Sequence, residues 1–238
     1  VLVAIGLYVR LKLTEATIFI AALNKPKPKT LPMMEVSVTH FKPFFLGMLI
    51  CIAGYVLFYI MIAFSQIYAK SAPTVSEAGY AMGLGFSPQI FTALLMCSAI
   101  SLAITIAISG KYIDIIGRRI WLIWTTFGVA IFGLALPYFL DNGTTTSLFW
   151  FLMIGMGLIG MGYGPLASLL PELFPTHARY SGASLTYNIS GLFGASVAAI
   201  ITLPLNANYG LKGVGIYLTL NAIVSLIGLW FIAETRDN

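Results

Sequence analysis

From Phe44 to Ala69 the chain reads FFLGMLICIAGYVLFYIMIAFSQIYA, without one Asp, Glu, Lys, Arg or His. An α-helix needs about 20 apolar residues to cross the roughly 30 Å hydrocarbon core of a bilayer, and this run exceeds that. Five further charge-free runs do the same: Phe86–Ser109, Ile120–Leu140, Ser147–Leu170, Tyr180–Leu205 and Gly213–Ala233. Strands of a membrane barrel are only about 10 residues long and alternate in polarity, whereas these runs are apolar on all sides. The expected fold is therefore an all-α membrane protein, a bundle of six transmembrane helices.

Working outward, Val1–Val9 is apolar but ends at Arg10, too short to cross. Residues 1–21 are expected to be the end of a preceding transmembrane helix and its cytoplasmic exit, 22–42 a cytoplasmic linker, and 43–235 the bundle. The chain opens on Val1 with no initiator Met, no basic segment before its apolar run and no small-residue cleavage site, which points to a truncated or processed chain rather than a signal peptide. The Asn24-Lys-Pro-Lys-Pro-Lys-Thr30 sequence is Pro-rich and expected to be extended and semi-rigid. With 59% hydrophobic and 9% charged residues, nothing remains to form the polar shell of a soluble domain.

The basic residues give the orientation. Arg10, Lys12, Lys25, Lys27, Lys29, Lys42, Lys111, Arg118, Arg119, Arg179 and Arg236 fall in one alternate set of loops, and only Lys70 and Lys212 in the other. Basic loops are retained in the cytoplasm, so the first set and the C-terminus are expected there, in a plasma (inner) membrane. The same asymmetry accounts for the net charge of +5, which leaves nothing for a nucleic-acid partner. The lipid bilayer itself is the expected neighbour of those side chains.

No cofactor or metal is expected. Cys51 and Cys97 lie inside spans, and His40 and His177 have no Cys or carboxylate cluster at ligand spacing. No nucleophile, base and orienting group converge, which excludes an enzyme. Gly155-Met-Gly157-Leu-Ile-Gly160 matches the dinucleotide fingerprint, but it sits inside an apolar span where that motif needs a strand before it. Its glycines, with Gly162 and Gly164, instead let another helix or a ligand approach the backbone, and Pro165 marks a place for the span to bend. Asn142-Gly-Thr144 matches a glycosylation sequon in a short loop and is taken as chance.

Two loops on the cytoplasmic side carry more. One reads Gly110-Lys-Tyr-Ile-Asp114-Ile-Ile-Gly117-Arg118-Arg119, the other Pro171-Glu172-Leu-Phe-Pro175-Thr-His-Ala-Arg179. The glycines suit a tight reversal, Asp114 suits the positive end of a helix, and the arginines suit carboxylates. Arg118, Glu172 and Arg179 either close one ion-pair latch or merely fix topology and helix ends.

These two motifs, with Arg179-Tyr-Ser-Gly-Ala-Ser-Leu-Thr-Tyr187-Asn188 and Gly6-Leu-Tyr-Val-Arg10-Leu-Lys-Leu-Thr-Glu15, resemble the C-terminal half of a major facilitator superfamily transporter, and within it the metabolite:proton symporter family. Members of that family move shikimate, 2-oxoglutarate, citrate, and proline or betaine. The resemblance runs from the end of a sixth helix to the Glu234-Thr-Arg236 sequence that closes a twelfth. It implies alternating access between two six-helix bundles, with the N-terminal half of the same protein as partner, cytoplasmic ion pairs holding one state, and a small-molecule substrate in the middle. The gate motif is then Gly110, Asp114, Gly117, Arg118, Arg119, Glu172 and Arg179, with Asp114 and Arg118 facing the partner half.

In that family the first, second, fourth and fifth helices of the bundle face the cavity. Here those spans hold Tyr55, Tyr59, Ser65, Gln66, Gln89, Thr92, Tyr163, Ser168, Tyr187 and Asn188. The expected substrate contacts are Tyr55, Tyr59, Gln66, Tyr163, Tyr187 and Asn188; spacings of four and seven put Tyr55, Tyr59 and Gln66 on one helix face. Against this, tyrosines anchor at membrane interfaces and Ser or Thr in a span bonds its own backbone. The spans carry no ionisable Asp, Glu, Lys, Arg or His, so a coupling proton would need its carrier in the other half. Three functions stand: a transporter half for a small organic acid or zwitterion; a half-size transporter that dimerises; and a non-transporting scaffold or receptor.

Overall fold

The computed structural model describes Val36 and residues 38–232. The expectations for residues 1–21, for most of the linker and for Glu234-Thr-Arg236 lie outside the described residues. Five helical segments are long and apolar enough to cross a membrane: α1 Phe41–Lys70, α2 Pro88–Ile116, α3 Arg118–Leu140, α4 Thr145–Glu172 and α5 Arg179–Trp230. Among the described residues no strand forms, only a single antiparallel bridge between Val75 and Ala81.

The 52 residues of α5 would make a straight helix of about 78 Å, far longer than the roughly 30 Å bilayer core. It does not run straight. Gly210 adopts φ 66° and ψ −168°, a left-handed φ that only glycine enters without strain. A side chain built on Gly213 would lie 3.2 Å from the carbonyl oxygen of Leu205, although eight residues of unbroken helix span about 12 Å. The chain therefore folds back at Gly210, giving α5 two arms. The reversal is covered by the loop between α1 and α2. There Ser76 Oγ donates to the Ala207 carbonyl (2.7 Å), Asn206 Nδ2 donates to the Ala81 carbonyl (3.1 Å), and the Tyr80 ring stands 2.6 Å from where a Cβ on Gly210 would be.

Local signals set the other boundaries. Ser87 accepts from the Ile90 N–H (3.3 Å) and Pro88 fills the first helical position of α2. Thr144 caps α4 by accepting from the Ser147 N–H (3.2 Å). Gly117, at φ 100°, makes the reversal between α2 and α3, as the motif led one to expect; Gly110 instead lies within α2 with open space beside it. Asp114 is in the last turn of α2 and exposed, so the expectation of a positive helix end is corrected: the helix runs on through Ile116 and leaves Asp114 at its carbonyl end. Two π turns, Ile60–Phe64 in α1 and Leu192–Ser196 in α5, had no counterpart in the sequence pattern.

The bundle packs through three kinds of contact. A buried apolar core joins Val56, Ile60, Met61 and Phe64 of α1 to Phe132 of α3, Phe151 of α4 and Leu218 of α5, with the Phe132 and Phe151 rings stacked at 5.3 Å. The α3 seam with the second arm of α5 is close enough that a Cβ on Gly215 would meet the Gly133 carbonyl oxygen at 2.3 Å, and Thr219 Oγ1 donates across it to Ala130 (3.0 Å).

The third contact resolves the glycine motif. Gly157, Gly160 and Gly164 of α4 face Ser101, Thr105 and Ser109 of α2, and a Cβ on Gly160 would fall 2.1 Å from Thr105 Oγ1. Ser101 Oγ donates to the Met153 carbonyl (2.9 Å) across this seam. Lipid gives two apolar helices no hydrophobic reason to associate, so close backbone approach and hydroxyl bonds hold them. The motif admits a helix, not a nucleotide.

Candidate functional site

Three tyrosines from three helices come together where Tyr163 is still 41% exposed. Tyr187 of α5 donates its hydroxyl to that of Tyr163 on α4 (3.3 Å), and its ring lies 4.9 Å from that of Tyr55 on α1. Glycine makes room for them: a Cβ on Gly194 would stand 2.6 Å from the Tyr55 Cβ, and one on Gly191 3.2 Å from its ring. They line a cavity of about 660 Å³, within the range of small-molecule sites.

Thr125 and Thr126 of α3 and Ser184 of α5 add hydroxyls to its wall, and among the described residues Arg179 is the one charged residue that lines it. Apolar side chains such as Leu57, Val129 and Leu166 make up much of the rest. Such a wall offers neutral donors and acceptors on an apolar surface. No lining residue comes from α2, although the second span was expected to face the cavity; α3 takes that place, and sequence reasoning missed Thr125 and Thr126.

The remaining expected contacts lie apart from this cluster. Tyr59 is half-buried and packs against the apolar core, and Gln66 lies beyond the π turn. A π turn bonds i to i+5, so the seven-residue count from Tyr59 no longer returns to one face. Asn188 is exposed one residue from Tyr187, and its Nδ2 donates to the Ser184 carbonyl of its own helix (2.8 Å). Ser65, Thr92 and Ser168 likewise bond carbonyls three or four residues back. Gln89 is exposed near the start of α2.

At the end of the bundle where α2 meets α3 and α4 meets α5, the gate motif separates into three tasks. Arg118 Nη1 pairs with Glu172 Oε2, both side chains about four-fifths buried (19% and 23% exposed). Arg119 donates Nε to the Leu229 carbonyl and Nη2 to the Trp230 carbonyl, both at 2.9 Å, and so caps the far end of α5. Arg179 donates Nε to the Phe174 carbonyl (3.3 Å) and lines the cavity. The single cluster of Arg118, Glu172 and Arg179 is thus one ion pair with Arg179 turned elsewhere. The His40 and His177 rings lie 6.5 Å apart nearby. Among the described residues no group of three His, Cys, Asp or Glu is placed to hold a metal, and Cys51 and Cys97 are both free thiols.

Apolar segments packed through glycine seams, with a largely apolar cavity that carries a few hydroxyls, define a multi-pass membrane protein of the kind that handles small molecules. Residues 81–238 match the family model described as sugar (and other) transporter, and the chain belongs to that family, part of the major facilitator superfamily. A Haemophilus influenzae protein named "Putative metabolite transport protein" is 89% identical across the whole of this chain, which covers 53% of that relative. The "Inner membrane metabolite transport protein YhjE" of Escherichia coli is 38% identical over 99% of the chain and 52% of its own length. A "Proline/betaine transporter" of Salmonella typhimurium is 24% identical over 98% of the chain and 46% of its length. The chain spans about half the length of the curated relatives it matches. No solved structure matches it. Family and relatives are transporters, not enzymes.

Proposed function

We propose that this chain forms one wall of a secondary active transporter that carries a small organic acid or zwitterionic metabolite by alternating access, coupled to protons, in the inner membrane. The observation that carries the proposal is the tyrosine-lined cavity of about 660 Å³, with the Arg118–Glu172 pair at one end of the helices that line it. On this reading each arm of α5 makes a crossing of its own, six in all, and the reversal at Gly210 supports it. With six, the ends bearing Lys111, Arg118, Arg119 and Arg179 share one side, the cytoplasmic side by the positive-inside rule. Arg179 on the cavity wall is a cation that the carboxylate of an acid or zwitterion can pair with, which supports that substrate class. The coupling proton is assigned to the second bundle, since among the described residues the cavity wall holds no carboxylate or histidine.

The test is uptake by the full-length protein in proteoliposomes under an imposed pH gradient. The panel contains radiolabelled proline, glycine betaine, citrate and glucose. Uptake of an acid or zwitterion, driven by inward protons and weakened about tenfold in affinity by Tyr163→Phe or Tyr187→Phe, is the expected result; tenfold corresponds to about 1.4 kcal/mol, the size of one hydrogen bond. Glucose uptake alone, or uptake indifferent to pH, would remove the reading.

A further inference from the structure

Two buried serines, one from each arm of α5, reach the backbone of α1 at neighbouring positions just before Tyr55. Ser225 Oγ donates to the Leu49 carbonyl (2.6 Å) and accepts from the Ala53 N–H (3.0 Å). Leu49 and Ala53 are the i and i+4 partners of one helical rung, so one foreign hydroxyl bonds both ends of that rung within the continuous helix Phe41–Tyr59. On the other side Ser190 Oγ lies 3.2 Å from the Met48 carbonyl and 2.6 Å from that of Thr186, donating to the two together. Both serines are fully buried.

Small residues bring the arms this close. A Cβ on Gly228 would stand 3.0 Å from the Leu49 Cβ, and one on Gly47 2.9 Å from Thr186 Cγ2. Beyond Tyr55 and Tyr59 comes the π turn Ile60–Phe64. Tyr55 and Tyr59 therefore ride on a stretch of α1 bounded at one end by a rung shared with Ser225 and at the other by a widened turn. Both are places where a helix bends most readily.

We propose that Ser225 and Ser190 are positioning residues: they hold a joint in α1 at Met48–Ala53, and that joint sets where Tyr55 stands in the cavity. The assignment concerns the same tyrosine wall as the transport reading and rests on it for its functional meaning. Ser225 touches no substrate; it acts through the α1 backbone.

The test places 3-fluorotyrosine at position 55 of the full-length protein in lipid nanodiscs and records its ¹⁹F resonance, with a second label at the exposed Tyr209 as control. The expected result is one dominant line at position 55 in the parent. Ser225→Ala shifts or splits that line, Ser225→Thr, which keeps the hydroxyl, restores it, and the Tyr209 line does not move. Ser190→Ala shifts the position 55 line as well and supplies the test if Ser225→Ala is not recovered folded. An unmoved position 55 line in the alanine variants, or equal changes at both labels, overturns the proposal. The spectrum needs no substrate, so failure of the uptake panel strikes the transport reading, and an unmoved ¹⁹F line strikes the joint.

Discussion

Arg118 and Arg119 are adjacent in sequence and do different work. Arg118 meets a carboxylate, and Arg119 meets the last carbonyls of α5 with two nitrogens of its planar fork. The motif told that this loop holds charge to be paired. It did not tell that Arg119 serves the end of another helix, because Leu229 and Trp230 are more than a hundred residues away and nothing near them marks the contact. The fork makes a prediction at this scale. Arg119→Lys keeps the charge but cannot bond both carbonyls in the same plane, so the full-length protein should melt lower, by about 1 to 2 kcal/mol of lost stabilisation. Tryptophan-fluorescence melting checks it, and an unchanged midpoint would mean the two bonds contribute nothing.

Among the elements, α2 is the clearest case of a helix whose partner was half-visible. The glycine series in α4 announced a close approach but not its occupant, since a helix apolar all round carries no amphipathic stripe to say which face turns inward. The hydroxyl series Ser101, Thr105 and Ser109, at four-residue spacing, was the matching signal, and only the structure joins the two. Gly160→Val should therefore overpack the seam and cost about 1 to 3 kcal/mol, whereas Gly162→Ala, with nothing within 4 Å of its added carbon, should leave stability unchanged. Denaturation of the two variants side by side separates them; equal losses would show that the helix dislikes any side chain there. That the chain forms long apolar helices was legible from charge-free length alone. The π turns were not, because they arise from packing after the helix has formed. The place of α3 in the cavity wall was hidden too: Thr125 and Thr126 resemble any pair of span threonines until their neighbours are known.

For the whole molecule, the ion pair between Arg118 and Glu172 ties the α2–α3 turn to the end of α4. If that tie holds the cytoplasmic side shut, Arg118→Ala and Glu172→Ala in the full-length protein should each shift the population toward the inward-open state. Cysteines placed on the cytoplasmic face should then react faster with a maleimide, and those on the outer face slower. The two variants should agree, since each removes the same pair; unchanged reactivity on both faces would sink the idea.

The serine that sits in the α1 ladder lies 176 residues along the chain from Leu49, whose carbonyl it binds, and 172 from Ala53. At the usual pace of synthesis, about 5 to 20 residues per second, α1 is made and inserted roughly ten to thirty seconds before Ser225 exists. During that interval Ser190, made 35 residues earlier, can already reach the Met48 carbonyl, but the bonds to Leu49 and Ala53 wait for Ser225. Insertion and the finishing of the site are thus separate events in biogenesis. A nascent chain stopped short of the last crossing would carry α1 without the bonds that Ser225 makes to Leu49 and Ala53.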